Sequence, residues 1–252
     1  MLDDGKQVGG PVKGIIGHLE DLRSVLFWSM LSIVVGMIIA AQFAPHALRI
    51  LAIPLQKTGR DPATFLRTMT VTGAMDVALL AIFWGGLLVS LPAITVIVGR
   101  YGMAALSKRE RHAVLIFSSM AVVMFFAGVA TAFFGVLPRS LEVMFWFNGW
   151  MGITIEFITA TDYIAFTLII LVIFGAMFEL PVILLILGHL GLVTSTRLRA
   201  IRRYVIVGLL VLAMVLTPTT DPFTQLVLAV PLAVLYELCI VIIWIRERRA
   251  AH

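Results

Sequence analysis

The sequence predicts an all-α polytopic membrane protein, with six transmembrane helices and both ends in the cytoplasm. Three observations carry this. Of 252 residues, 61% are hydrophobic and only 13% charged, against about 25% charged in a soluble domain. The mean hydropathy is +1.05, so the chain would expose too much apolar surface in water, and a bilayer is the solvent that fits. Finally, lysines and arginines alternate in density along the chain: with the N-terminus inside, fourteen of the 19 fall in inner segments and five in outer ones, the bias that sets N-in, C-in topology.

The elements follow in order. Residues 1–13 form a flexible polar N-terminus, Gly-rich and without the apolar core of an export signal. Residues 14–25 read as an interfacial helix: Ile15, Leu19, Leu22 and Leu26 recur at helical spacing, with Glu20, Asp21 and Arg23 off that stripe. A membrane domain over 14–245 then carries apolar spans at Leu26–Phe43, Val77–Val98, Ala113–Leu137, Tyr163–Leu187, Tyr204–Leu216 and Phe223–Ile245. Outside, Pro138–Ala160 brings Phe145, Trp146, Phe147 and Trp150, an aromatic set suited to the headgroup level. Residues 246–252 are a basic tail. Helices 5 and 6 read as short. Tyr204–Leu216 has thirteen residues, roughly 20 Å of helix against about 30 Å of hydrocarbon. Thr217-Pro218 stops it, and Pro231 interrupts the next span. Either the bilayer thins there, or the helix extends at its basic end through Arg199–Arg203.

The basic balance, with a net charge of +5, reports topology and contact with anionic lipid, not nucleic acid. The single Cys239 sits in an apolar run as a small hydrophobe. No glycine loop of the ATP-binding type is present. Five scattered histidines lack metal-ligand spacing, and no nucleophile–base pair can be argued. The expectation is no enzyme, no cofactor and no metal.

A few polar residues need explaining. Glu179 lies inside the fourth span, where a carboxylate costs a few kcal/mol and marks a functional site by default. Glu237 and Gln225 of the sixth span join it. The structural alternative is interhelical hydrogen bonding, with a protonated Glu179. Asp21 and Glu110 belong to the cytoplasmic surface, and Glu110 is the only acid among Arg100, Lys108, Arg109 and Arg111. By spacing alone it neutralises its neighbours.

Six stretches in order resemble the TatC family of the twin-arginine protein translocase: His18-Leu19-Glu20-Asp21-Leu22-Arg23; Pro54 after the first span; Pro92 in the second; Lys108-Arg109-Glu110-Arg111; Phe178-Glu179-Leu180-Pro181; and Thr217-Pro218-Thr219-Thr220-Asp221-Pro222-Phe223-Thr224-Gln225. The resemblance implies a receptor for twin-arginine signal peptides of folded precursors. Planar guanidinium groups pair bidentately with carboxylates, and the family places those carboxylates at Asp21 and Glu110, with Glu20 and Arg23 beside the first and Tyr101 beside the second. It further implies that Glu179, with Gln225 beside it, contacts single-span partners of the TatA/TatB type. Export would be driven by the proton-motive force, and several copies of the chain would assemble in a prokaryotic cytoplasmic membrane in preference to a thylakoid one. Pro54, Pro92, Phe178, Pro181, Pro218 and Asp221 would be structural members of these motifs.

The chain departs from the family pattern at Asp21, where glutamate is usual, at Ala104, Ala105 and Ser107 before Glu110, at Leu80 and at Phe133. Two other readings compete. A proton-coupled transporter of a small solute would use Glu179 and Glu237 as a relay, but no internal repeat supports it. A purely structural scaffold would not need Glu110.

Overall fold

The computed structural model describes residues 11–102, 108–189, 193–216 and 222–250. Helix α1 (Pro11–Leu51) is 41 residues long, roughly 60 Å at 1.5 Å per residue. That is twice the hydrocarbon thickness of about 30 Å, so its N-terminal part projects beyond the bilayer. The stretch 14–25, expected as an interfacial helix leading into the first span, forms one continuous helix with that span in α1. Between Gly17 and Leu26 nothing breaks the backbone ladder, and the apolar stripe passes into the span without a change of period.

Outside the membrane follow α2 (Ile53–Gln56), α3 (Pro62–Phe65) and strand β1 (Leu66–Arg67). The second membrane helix is α4 (Gly73–Gly102), which runs through Pro92. Helix α5 (Lys108–Thr131) passes through a π-helical turn (Ala132–Val136) into α6 (Leu137–Trp150). The expected end at Leu137 is therefore not an end. Pro138 has no amide for the carbonyl of Phe134, and the ladder absorbs this by letting the Leu137 amide donate five residues back, to Ala132. Strand β2 (Ile158–Thr159) pairs in parallel with β1, Leu66 opposite Ile158.

The expected fourth span divides into α7 (Ala160–Met177) and α8 (Leu180–His189). Pro181 cannot donate to Met177. The ladder tightens just before it: Phe178 bonds back to Phe174, but Glu179 bonds only three residues back, to Ala176. Last come α9 (Ser195–Leu216) and α10 (Pro222–Ala250). Both are longer helices than their apolar stretches. Helix α9 is extended at its basic end from Ser195, and α10 continues through Pro231. Among the described residues five helical stretches are long and apolar enough to cross a bilayer: Leu22–Gln56, Gly73–Gly99, Ser118–Trp150, Ala160–Gly188 and Ala229–Arg248. Helix α9 falls short of that measure because four arginines occupy its first half.

Two close crossings set the bundle. A Cβ on Gly86 of α4 would stand 2.7 Å from the Met37 backbone nitrogen of α1, and one on Gly128 of α5 would stand 2.5 Å from the Phe174 carbonyl oxygen of α7. With no hydrophobic drive between helices in lipid, backbone approach of this kind supplies the packing. Part of the core lies towards the outer side, where Leu55, Ala132 and Leu137 have no exposed surface. The Tyr163 hydroxyl ties this region together by donating to the Leu51 carbonyl at 2.8 Å.

Candidate functional site

Two sites emerge, one at the inner rim and one within the membrane. Helices α1 and α4 are antiparallel, crossing at Met37 and Gly86. From that crossing, Asp21 is sixteen residues back along α1 and Tyr101 is fifteen forward along α4. At 1.5 Å per residue both lie roughly 23 Å toward the cytoplasmic side. Helix α5 starts at Lys108 and runs back along α4, so the backbone of Glu110 belongs to the same end. Glu20 and Arg23 are exposed there. The side chains of Asp21, Tyr101 and Glu110 lie outside the described residues, as do Pro218 and Asp221 entirely.

Glu179 occupies the break between α7 and α8. The turn forced by Pro181 carries its side chain inward, where it is 8% exposed, and its Oε2 lies in a short hydrogen bond with the Thr95 hydroxyl of α4. Its Oε1 has no partner among the described residues. Thr95 follows Pro92 by one turn and also reaches the Leu91 carbonyl, at 3.1 Å. Tyr101 is six residues further on, so this polar pair sits roughly 9 Å below the rim. Phe178 and Pro181 are buried around it, and Pro54 is buried in α2.

The structure does not join Gln225 to Glu179. Its Nε2 donates to the Leu210 carbonyl of α9 at 2.6 Å. Met177 and Leu180 share an apolar pocket with Leu232 and Leu235, which puts Gln225 at least two turns of α10 toward the outer side. Glu237 is likewise apart, paired with Arg202 Nε at 2.5 Å on the neighbouring helix. Among the described residues no contact joins Glu179 to Glu237, as the relay suggested for a transporter would need.

Reading the sequence alone missed Thr95 and the Glu247–Ser195 contact. Glu247 of α10 accepts the Ser195 amide at 2.9 Å and bonds its hydroxyl, capping the start of α9 from another helix. A hydroxyl residue inside an apolar span was the available signal for Thr95.

A bundle of long apolar helices with a basic inner side and a buried carboxyl at Glu179 defines a multi-pass membrane protein. Residues 17–231 match the family described as Sec-independent protein translocase protein (TatC), and the chain belongs to that family. It is 34% identical over 232 residues to the Sec-independent protein translocase protein TatC of Deinococcus radiodurans, covering 90% of this chain and 84% of the relative. A chloroplastic relative from Pisum sativum is 31% identical over 242 residues, covering 94% of this chain and 64% of its own. A solved structure described as "Twin Arginine Translocase Receptor- TatC" superimposes with a TM-score of 0.80 at 30% identity, covering 90% of this chain and 98% of that one.

Proposed function

We propose that this chain is the signal-peptide receptor and core membrane subunit of a twin-arginine translocase in a prokaryotic cytoplasmic membrane. The observation that carries the reading is the convergence of positions 21, 101 and 110 at one end of α1, α4 and α5, at similar depth. Asp21 and Glu110 would each take one guanidinium of the peptide's arginine pair as a planar, charge-assisted fork, with Glu20, Arg23 and Tyr101 around them. Family membership supports this reading, as does the solved relative described as a receptor.

Glu179, with Thr95, is the intramembrane contact for single-span TatA/TatB-type partners, which would offset the desolvation of the carboxyl. Gln225 belongs to a second contact surface on α9 and α10. Passage of the folded precursor then draws on the partners and the proton-motive force, with several copies of this chain in the receptor complex.

The test is photo-crosslinking of a twin-arginine peptide to membrane vesicles that expose the cytoplasmic face, compared with its twin-lysine version. Glu110→Arg is expected to abolish crosslinking and Glu110→Gln to weaken it. Wild-type crosslinking in Glu110→Arg, or equal crosslinking of the lysine peptide, overturns the receptor assignment.

A further inference from the structure

We propose that a groove between α1, α4 and α5 holds one phospholipid of the outer leaflet, with an acyl chain along its floor and the phosphate at Lys57. The groove encloses about 520 Å³. Its floor is made of small residues, Ala40 and Ala47 of α1, Gly85 of α4 and Ala130 of α5, and Phe43 and Phe134 stand as walls. Small side chains at matching levels on three helices leave a slot that the helices themselves do not fill.

The length of the slot suits a lipid tail. Along α1 it runs from Ile39 to Ile50, roughly 16 Å at helical rise, which is one leaflet of a hydrocarbon core about 30 Å thick.

The outer mouth supplies the charge. Lys57 Nζ lies 4.9 Å from the centroid of the Phe134 ring, which is itself a wall of the slot. The Lys57 side chain is exposed, and among the described residues no carboxylate pairs with it. A cation held over the wall where the slot opens to the headgroup layer is complementary to a phosphodiester. The proposal is independent of the receptor reading, since the slot lies on the opposite side of the bilayer from the rim acids.

The test is native mass spectrometry of the full chain in mild detergent, titrated with palmitoyl-oleoyl phosphatidylglycerol or with the matching diacylglycerol. One tightly retained phosphatidylglycerol per chain is expected, and the diacylglycerol should bind about five-fold more weakly, the effect of one lysine near a lipid phosphate. Lys57→Ala should erase that difference. Ala130→Trp, which fills the slot, should remove the retained lipid. Equal binding of the two lipids by the wild type overturns the phosphate contact. Undiminished retention in folded Ala130→Trp overturns the slot. So does a crosslink from Ala47→Cys to a second polypeptide in membranes, which would show the slot covered by protein. Lys57 is exposed, so its variant keeps the proposal testable if Ala130→Trp does not fold.

Discussion

The Thr95 hydroxyl of α4 stands between two acceptors, the carboxyl of Glu179 and the carbonyl of Leu91. A hydroxyl has one proton, so a donor at position 179 would let the Thr95 hydroxyl serve the Leu91 carbonyl while accepting from the side chain at 179. Glu179→Gln supplies a donor in the same place and is expected to leave thermal stability within about 0.5 kcal/mol. Thr95→Val strips the buried carboxyl of its protein partner and should cost about 1–3 kcal/mol, read as a lower unfolding midpoint in detergent. A stable Thr95→Val chain would show that the pair does not hold α4 to the α7–α8 break.

The same pair makes a functional prediction. Glu179→Ala is expected to retain twin-arginine peptide crosslinking, because the rim lies roughly 9 Å away along α4, and to lose co-purification of the single-span partner. Retained co-purification with lost peptide binding would reverse the assignment of the two sites.

Close backbone approach at Gly86 gives a packing prediction. An added methyl would meet the Met37 backbone at 2.7 Å, and backbone cannot swing aside as a side chain can. Gly86→Ala should cost about 1–3 kcal/mol by overpacking, measured by thermal unfolding. Gly208→Ala, where an added Cβ meets nothing within 4 Å, is the control and should be neutral.

How much of this was legible in the sequence differs by element. Hydropathy located each long apolar helix, because period and length are local properties. Ends were less legible. Nothing between Gly17 and Leu26 says whether a ladder stops at the membrane surface, and α1 continues. Pro138 and Pro181 look alike in sequence, yet one is absorbed by a π-helical turn and the other ends α7. The rim acids could be named from motif order. Their similar depth with Tyr101 follows from the antiparallel crossing at Met37 and Gly86. Thr95, the Glu247–Ser195 cap and the Arg202–Glu237 pair join residues 35 or more positions apart, and no local pattern announces such contacts.

That cap predicts coupling between the last two helices. Glu247 satisfies the amide and hydroxyl of Ser195 at the start of α9, while the Tyr236 hydroxyl donates to the Leu198 carbonyl at 2.9 Å one turn on. Glu247→Ala should free the basic end of α9, at a cost of about 1 kcal/mol typical of a lost cap. Spin labels placed at exposed Arg199 and Ile245 should report a broader distance distribution in the variant. An unchanged distribution would assign the hold to Tyr236 alone, and Tyr236→Phe would then be the variant that broadens it.

On the outer side, Arg60 is held between two rings, 4.5 Å from the centroid of Phe65 and 3.9 Å from that of Phe145, and its Nη1 donates to the Ile155 carbonyl at 3.4 Å. One guanidinium thus joins α3, α6 and the segment before β2. The two rings stand nearly perpendicular with centroids 5.8 Å apart, and a guanidinium set in the corner they form reaches both rings and the carbonyl at once, which a lysine ammonium does not. Arg60→Lys keeps the charge and is expected to loosen the cap nearly as much as Arg60→Ala. The measure is cleavage of the 52–72 connector by a protease added from the outside. If Arg60→Lys were as resistant as the wild type, charge alone would hold the cap, and the two rings would be bystanders to it.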